Sequence, residues 1–234
     1  MSDRWRPRVS ILLLTYNRLD YAKETLIRAI ERLDYSGKIS VHIADDGSSQ
    51  EYRDTLYEMA RDWPRIEGVT ITNSERRGYG ANYNLALQTV HATAEIVLPL
   101  EDDWTLTKRL DLDPLVDVLT DPSNGIGCIR LGYLGWTQEL RGTFMRATNG
   151  MPLIRFDPSS AEPHVFTGHP RLESVAWQRH VGPWPEGLNP GATEFAVAKL
   201  PQARVGVAWP VDMVKPHGDL FVHTGTIQAR DDQR

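Results

Sequence analysis

The 234-residue sequence predicts an α/β fold with a mostly parallel central sheet flanked by helices. Three observations carry that expectation. Short, nearly all-apolar runs recur through the first half, as strands buried on both faces require. Segments with apolar residues at helical spacing separate them. The residues directly after each run are polar or acidic, which is where open α/β sheets bind ligands.

Val9 to Leu14 reads as the first buried strand. Asp20 offers an N-cap, and Ala22, Leu26, Ala29, Ile30 and Leu33 then mark one helical face. Ile39 to Ala44 is the second strand. Ser48-Ser49-Gln50-Glu51 has the capping-box pattern, so a helix is expected through Leu56, Met59, Ala60 and Trp63, stopped near Pro64. Val69 to Thr72 is a third strand, and Gly78 and Gly80 lead into a helix from about Ala81 to His91. Ile96 to Leu100 is a fourth strand, and a helix from Leu112 to Leu119 precedes a fifth, Ile126 to Leu131. Helical spacers of this length imply right-handed crossovers between parallel strands. Residues 132–204 are rich in Gly, Pro and Trp and weakly periodic, so loops and short elements are expected over one end of the sheet.

An apolar fraction of 41% with 24% charged residues excludes a disordered chain. A net charge of −5 excludes a surface that is basic overall, although Arg4, Arg6 and Arg8 form a small local patch. The lone cysteine, Cys128, sits in an apolar run and reads as core, and it permits no intrachain disulfide. No secretory signal is visible and no run approaches the ~20 apolar residues of a membrane span, so a cytoplasmic location is expected.

Glu101-Asp102-Asp103 follows a buried strand directly. Three adjacent carboxylates repel one another unless a cation neutralises them, and oxygen ligation suits Mg²⁺ or Mn²⁺. The competing reading is an exposed acidic turn. Asp45-Asp46-Gly47-Ser48 follows the second strand, where an Asp can accept from a base or ribose, although Asp-Gly is also an ordinary turn dipeptide. Between Asn73 and Gly80, Arg76 and Arg77 precede glycines and a helix start, a setting that suits phosphate. The lone Gly-x-Gly lacks a third glycine, which disfavours a nicotinamide enzyme. Among seven histidines, His217 or His223 could add a nitrogen ligand. Glu194 lies in a short helical segment, Gly191 to Leu200, and could serve as a general base or simply face solvent.

In this order, the segments resemble the family 2 glycosyltransferases of GT-A fold, from about Val9 to Trp104 and more thinly to His223. The Thr15-Tyr16-Asn17-Arg18 loop is similar to the family's nucleotide loop. Asp45-Asp46-Gly47-Ser48 is similar to its second-strand motif, and Asn73…Gly78…Ala81…Asn84 to the loop and helix before its metal motif. Glu101-Asp102-Asp103 takes the place of its Asp-x-Asp motif. The resemblance implies that Thr15, Tyr16 and Asp45 hold the nucleoside and that Arg76 or Arg77 assists. It implies that Asp102 faces the ribose or sugar and that Asp103 binds Mn²⁺ or Mg²⁺. It implies further that His223 completes the metal site and that Glu194 is the base of an inverting transfer. It implies one domain over residues 1–234, with a nucleotide-sugar-binding half (8–133), an acceptor-side half (134–224) and a tail (225–234). Two positions depart from the pattern. Glu101 replaces the first Asp, and Glu194 lacks the usual paired carboxylate because Thr193 and Phe195 flank it.

A UDP-sugar is the donor the resemblance implies. The acceptor is a hydroxyl-bearing glycan, small molecule, protein, lipid-linked sugar or modified DNA base. Trp136, Trp177 and Trp184 are candidates to stack on it. Oligomeric state is not readable. The rival readings are a sugar nucleotidyltransferase, disfavoured because Thr15–Arg18 is not a glycine-rich loop, a glycoside hydrolase with paired carboxylates, and an inactive nucleotide-sugar- or glycan-binding domain.

Overall fold

The computed structural model describes residues 5–73, 75–132, 140–161, 164–213 and 220–225. Strands β1 (Val9–Thr15), β3 (Ile39–Asp45), β4 (Ile66–Asn73) and β5 (Ile96–Glu101) alternate with helices α1 (Leu19–Arg32), α2 (Gln50–Arg61) and α3 (Tyr79–Thr93). These strands pair in parallel in the order β4-β3-β1-β5. The short β2 (Leu33–Asp34) pairs with β7 (Leu110–Asp111) at the start of α4 (Asp113–Thr120).

Past β5 the sheet changes character. β8 (Cys128–Arg130), β9 (Gly142–Arg146), β10 (Pro152–Phe156), β11 (Arg171–Ser174) and β12 (Val207–Pro210) extend it to nine strands, ordered β4-β3-β1-β5-β11-β8-β12-β10-β9. β11 runs antiparallel to both β5 and β8, so the nine-stranded sheet is mixed and the parallel pairing predicted for the first half holds there. The fifth expected strand is therefore not β5's neighbour, because β11 inserts between them. The second half is also more regular than its composition suggested. Residues 132–204 carry three of these strands, β9, β10 and β11, and helices α5 (Val175–Val181) and α6 (Pro190–Ala198). Its strands are short, and runs this brief leave little periodicity to read.

Side-chain alternation along β1 explains the layers. Val9, Ile11 and Leu13 point into a core packed by α1, α2 and α4, and Leu12 and Leu14 point into a second core packed by α3, α5 and α6. Each of these residues is buried, and each contributes roughly 1.5–3 kcal/mol by leaving water. Cys128 is buried in the second core as expected, and burial pushes its thiol well up.

Some local expectations change. Asp20 lies inside the first turn of α1 and is not its cap. The cap position is Arg18, which makes no side-chain capping bond. Ser49 does cap α2, accepting from the Tyr52 amide. Arg6 pairs with Asp113 and Asp117, and Arg8 with Glu67, so these two cations serve the fold and leave no basic patch between them. Trp177 and Trp184 are packed against Phe166 in the second core and are not stacking platforms, and Trp136 lies outside the described residues. Among the described residues, no helix is long and apolar enough to cross a membrane.

Candidate active site

The loops after β1, β3, β4 and β5 meet at the carboxyl edge of the parallel strands. Two backbone bonds tie the ends of β3 and β5 to the end of β1, from the Asp46 amide to the Thr15 carbonyl and from the Asp102 amide to the Leu14 carbonyl. The Asp46 carboxylate then accepts from the amides of Arg77 (2.7 Å) and Gly78 (3.0 Å), which ties the loop after β4 to the loop after β3. Gly47 makes that approach feasible. Its φ is +95°, and a Cβ there would lie 2.7 Å from the Arg76 amide nitrogen.

Asp45 is fully buried and uses both oxygens internally. It accepts from the Ser48 amide (2.9 Å), the Ser48 hydroxyl (2.5 Å) and Arg53 (3.2 Å). Its carboxylate therefore braces the turn. Tyr16 lies at the mouth with the Arg76 guanidinium 4.3 Å above its ring. Arg77 is exposed and meets Asp46 through its backbone, so of the two arginines it is Arg76 that adjoins the first loop. Asn17 is exposed with φ +51°, and its amide donates to the Ser48 hydroxyl at 2.9 Å.

The acidic segment is built inward. Asp102 is buried and accepts from the Thr15 hydroxyl at 2.9 Å and from Arg18. Burial first, opposed by Arg18, pushes its carboxyl up to about 6. Glu101 accepts from the Tyr79 hydroxyl at 2.8 Å, and burial with the nearby Asp103 charge pushes its carboxyl up to about 7. Asp103 Oδ2 lies 2.8 Å from Arg18 Nη1 and 3.3 Å from His223 Nε2. Burial opposes ionisation of Asp103, but the His223 hydrogen bond and the Arg18 charge outweigh it and hold the carboxyl below its usual range. The hydrogen bond to Asp103 and the Asp103 charge raise His223, against its burial and the Arg18 charge.

His223 reaches this place through β-pairing. β6 (Trp104–Leu106) and β13 (Phe221–His223) pair antiparallel with His223 opposite Trp104, and the Thr224 amide donates to the Asp103 carbonyl at 2.8 Å. The Trp104 ring lies 5.1 Å from the His223 ring and 5.1 Å from the His169 ring. His169 belongs to the turn that holds Glu194, because the Gly168 amide donates to Glu194 Oε1 at 2.6 Å. Glu194 also lies near enough to raise both Glu101 and Tyr79 by its charge. The structure thus brings Glu101, Asp102, Asp103, His223, Arg18 and Glu194 to one centre, with Thr15, Tyr16 and Arg76 beside it.

The donor set suits a hard or borderline divalent ion. Asp103 Oδ1 is buried without a hydrogen-bond partner, and the other oxygen of the same carboxylate lies 3.3 Å from the His223 Nε2. Among the described residues no three His, Cys, Asp or Glu side chains form a complete metal cage, so further ligands would come from phosphate oxygens and water, as at Mg²⁺ sites. His217 lies outside the described residues.

The model of the family described as "Glycosyl transferase family 2" matches residues 10–171, more than half of the chain and the loops after β1, β3, β4 and β5, while Glu194 and His223 lie beyond it. The chain belongs to glycosyl transferase family 2. No curated protein matches it. This family 2 domain is similar in fold to the mannosyltransferase PcManGT from Pyrobaculum calidifontis, solved with GDP-Man and Mn²⁺. The TM-score is 0.58 at 22% identity, over 88% of this chain and 57% of that one. It is also similar to S. aureus TarS 1-349 in complex with UDP-GlcNAc, with a TM-score of 0.62 at 16% identity, over 94% of this chain and 61% of that one. GalNAc-T7 with UDP, GalNAc and Mn²⁺ gives 0.59 at 16%, over 89% of this chain and 43% of that one. These are GT-A structures, and the family 2 domain shares their mixed sheet flanked by helices. The chain spans about 57–61% of the length of the first two.

Sequence reading missed several residues of this centre. Tyr79, Arg53 and Tyr52 carry no motif of their own. The buried pair Arg171 and Glu173 does leave a signal, because opposite charges two apart in a strand share one face.

Proposed function

We propose that this domain transfers a sugar from a nucleoside-diphosphate donor, with a UDP-sugar the first choice, to a hydroxyl acceptor, with inversion and with Mn²⁺ or Mg²⁺ as cofactor. The observation that carries the reading is the meeting of Asp103, His223 and Glu194 at the carboxyl edge of the parallel strands. Family membership and neighbours solved with UDP- or GDP-sugars support it.

In this reading Thr15, Tyr16, Asn17 and the turn braced by Asp45 and Asp46 frame the nucleoside. Arg76, at the mouth, supplies positive charge toward the diphosphate, and the Arg77 and Gly78 amides stay locked by Asp46. Asp102, buried with both oxygens engaged, acts toward the ribose and sugar side through Thr15 and Arg18, which it holds. Asp103 and His223 would hold the ion, which when bound offsets charge on the departing diphosphate. Glu101, its carboxyl pushed up to about 7, carries only part of a full charge near neutral pH and so limits the negative charge that the diphosphate meets. Glu194, oriented by the Gly168 amide, takes the proton of the attacking hydroxyl. Glu194→Gln is expected to lower the rate of transfer by about 10²–10⁴-fold while leaving nucleotide binding unchanged. The residue halves 8–133 and 134–224 divide these tasks between donor and acceptor in one domain, and we place it in the cytoplasm.

Calorimetric titration of UDP with Mn²⁺ or with excess chelator, for the native chain and Asp103→Ala, tests the reading. Binding that needs both the ion and Asp103 supports it. Binding of GDP in place of UDP would change the donor, and no binding of UDP, GDP, CDP or dTDP would overturn it.

A further inference from the structure

Behind Glu194 lies a buried charged cluster that the proposed chemistry does not use. Arg171 is 1% exposed, so it cannot touch a substrate. Its Nε donates to Glu173 Oε1 at 2.5 Å and its Nη2 to the Tyr83 hydroxyl at 3.1 Å. The guanidinium stacks 4.9 Å from the Phe166 ring and 5.4 Å from the Trp184 ring. Glu173 is closed off on its other oxygen by Gln178 at 2.6 Å. The remaining guanidinium nitrogen, Nη1, donates to the carbonyls of Gly168 (2.8 Å) and His169 (3.3 Å).

That last pair of bonds connects the cluster to the site. Gly168 is held from both ends, its carbonyl by Arg171 and its amide by the Glu194 carboxylate at 2.6 Å. The approach is close, because a Cβ on Gly168 would sit 3.3 Å from Glu194 Cδ. A well-packed apolar pair would stabilise this core about as well as a buried ion pair. Apolar side chains cannot, however, hold two successive carbonyls in one orientation, which a planar guanidinium does.

We infer that Arg171, anchored by Glu173, is a positioning residue that fixes the Gly168–His169 turn and through its amide sets the orientation of the Glu194 carboxylate. The inference rests on the reading of Glu194 as the base, but its structural content can be measured without any substrate. A 1 Å displacement of such a group costs about 10²-fold in rate, so a device that fixes one carboxylate has catalytic value even when it adds nothing to stability.

The experiment is NMR of protein labelled with ¹⁵N at its 18 glycines. An amide donating to a carboxylate at short distance carries a downfield proton, and Glu194→Gln identifies the Gly168 resonance by moving it upfield. The test variant is Arg171→Met with Glu173→Gln, which leaves no unpaired buried charge, and Arg171→Lys is the second variant should the first not fold. The expected result is that the Gly168 resonance moves upfield in the Arg171 variant, as in Glu194→Gln, while UDP affinity in Mn²⁺ stays within about twofold of native. An unmoved Gly168 resonance in a folded variant would overturn the inference. Full transfer activity in Glu194→Gln would instead overturn the base assignment and leave the NMR result standing, so the two failures are distinguishable.

Discussion

Arg18 offers the sharpest test of how this site handles charge. Its guanidinium spans Asp102 and Asp103, with side chains 13%, 2% and 7% exposed, so a built-in cation already answers the carboxylates that a divalent ion would need. Replacing it by Met leaves Asp102 with the Thr15 hydroxyl and Asp103 with His223, and removing one partner of a buried pair costs about 3–5 kcal/mol. Part of that cost is escaped by protonating Asp102, whose carboxyl is already pushed up to about 6. The ion sees the opposite sign. In the native protein Asp103 gives up a charge-assisted bond, worth about 1.5–3 kcal/mol, before it can serve a metal. Without Arg18 that step disappears, so Mn²⁺ affinity is expected to rise by about 10- to 100-fold. Titration of Mn²⁺ followed by electron paramagnetic resonance measures the affinity, and thermal melts with and without Mn²⁺ measure the linked stability. Arg18→Met should melt lower than native without the ion and gain more from it. Unchanged or weaker Mn²⁺ binding in a folded Arg18→Met protein would refute the competition between arginine and ion.

Three further outcomes are expected. Gly225→Ala should abolish Mn²⁺ binding in a folded protein, because its Cβ would land on the Asp103 carboxylate; circular dichroism and the same titration check this. Mn²⁺ affinity should rise with pH, by up to about tenfold per unit, until His223 has lost its proton at a pH above its ordinary 6.5, because Asp103 holds the protonated form and the ion needs the neutral ring; a pH series of Mn²⁺ titrations measures it. Glu101 has its folded-state carboxyl raised from 4.5 to about 7, so its contribution to stability is complete below about pH 4.5 and is lost as pH rises through about 7; melts of Glu101→Gln, which keeps an acceptor for Tyr79, should show a gain over native that grows from pH 5 to pH 8.

The first half of the fold was legible because its strands are buried on both faces and announce themselves as apolar runs. β1, β3 and β5 fall within a residue or so of their expected bounds. The loops that follow them were legible for the same reason, since a polar segment directly after a buried parallel strand lies at the binding edge wherever the crossovers are right-handed. What the sequence did not disclose is where the second half docks. β11 carries Arg171 and Glu173 into the middle of the sheet, beside β5, yet only four residues long it shows no period that would place it there. β13 is shorter still, and only its pairing with β6 brings His223 to Asp103.

Particular side chains also depart from the simplest reading of their motif. Asp45 ends a strand at the binding edge, and the expectation was a carboxylate offered to a nucleoside. The structure spends it on Ser48 and Arg53, because a buried carboxylate must be satisfied by donors, and the turn beneath it supplies them. Asp46 likewise serves the loop after β4. Acidic residues in this edge therefore divide between those whose oxygens brace loops, Asp45 and Asp46, and Asp103, which is paired with Arg18 and His223 through one oxygen and keeps the other without a partner. Only the second kind has reason to bind an ion, and a buried oxygen on Asp103 without a partner is the feature that separates them.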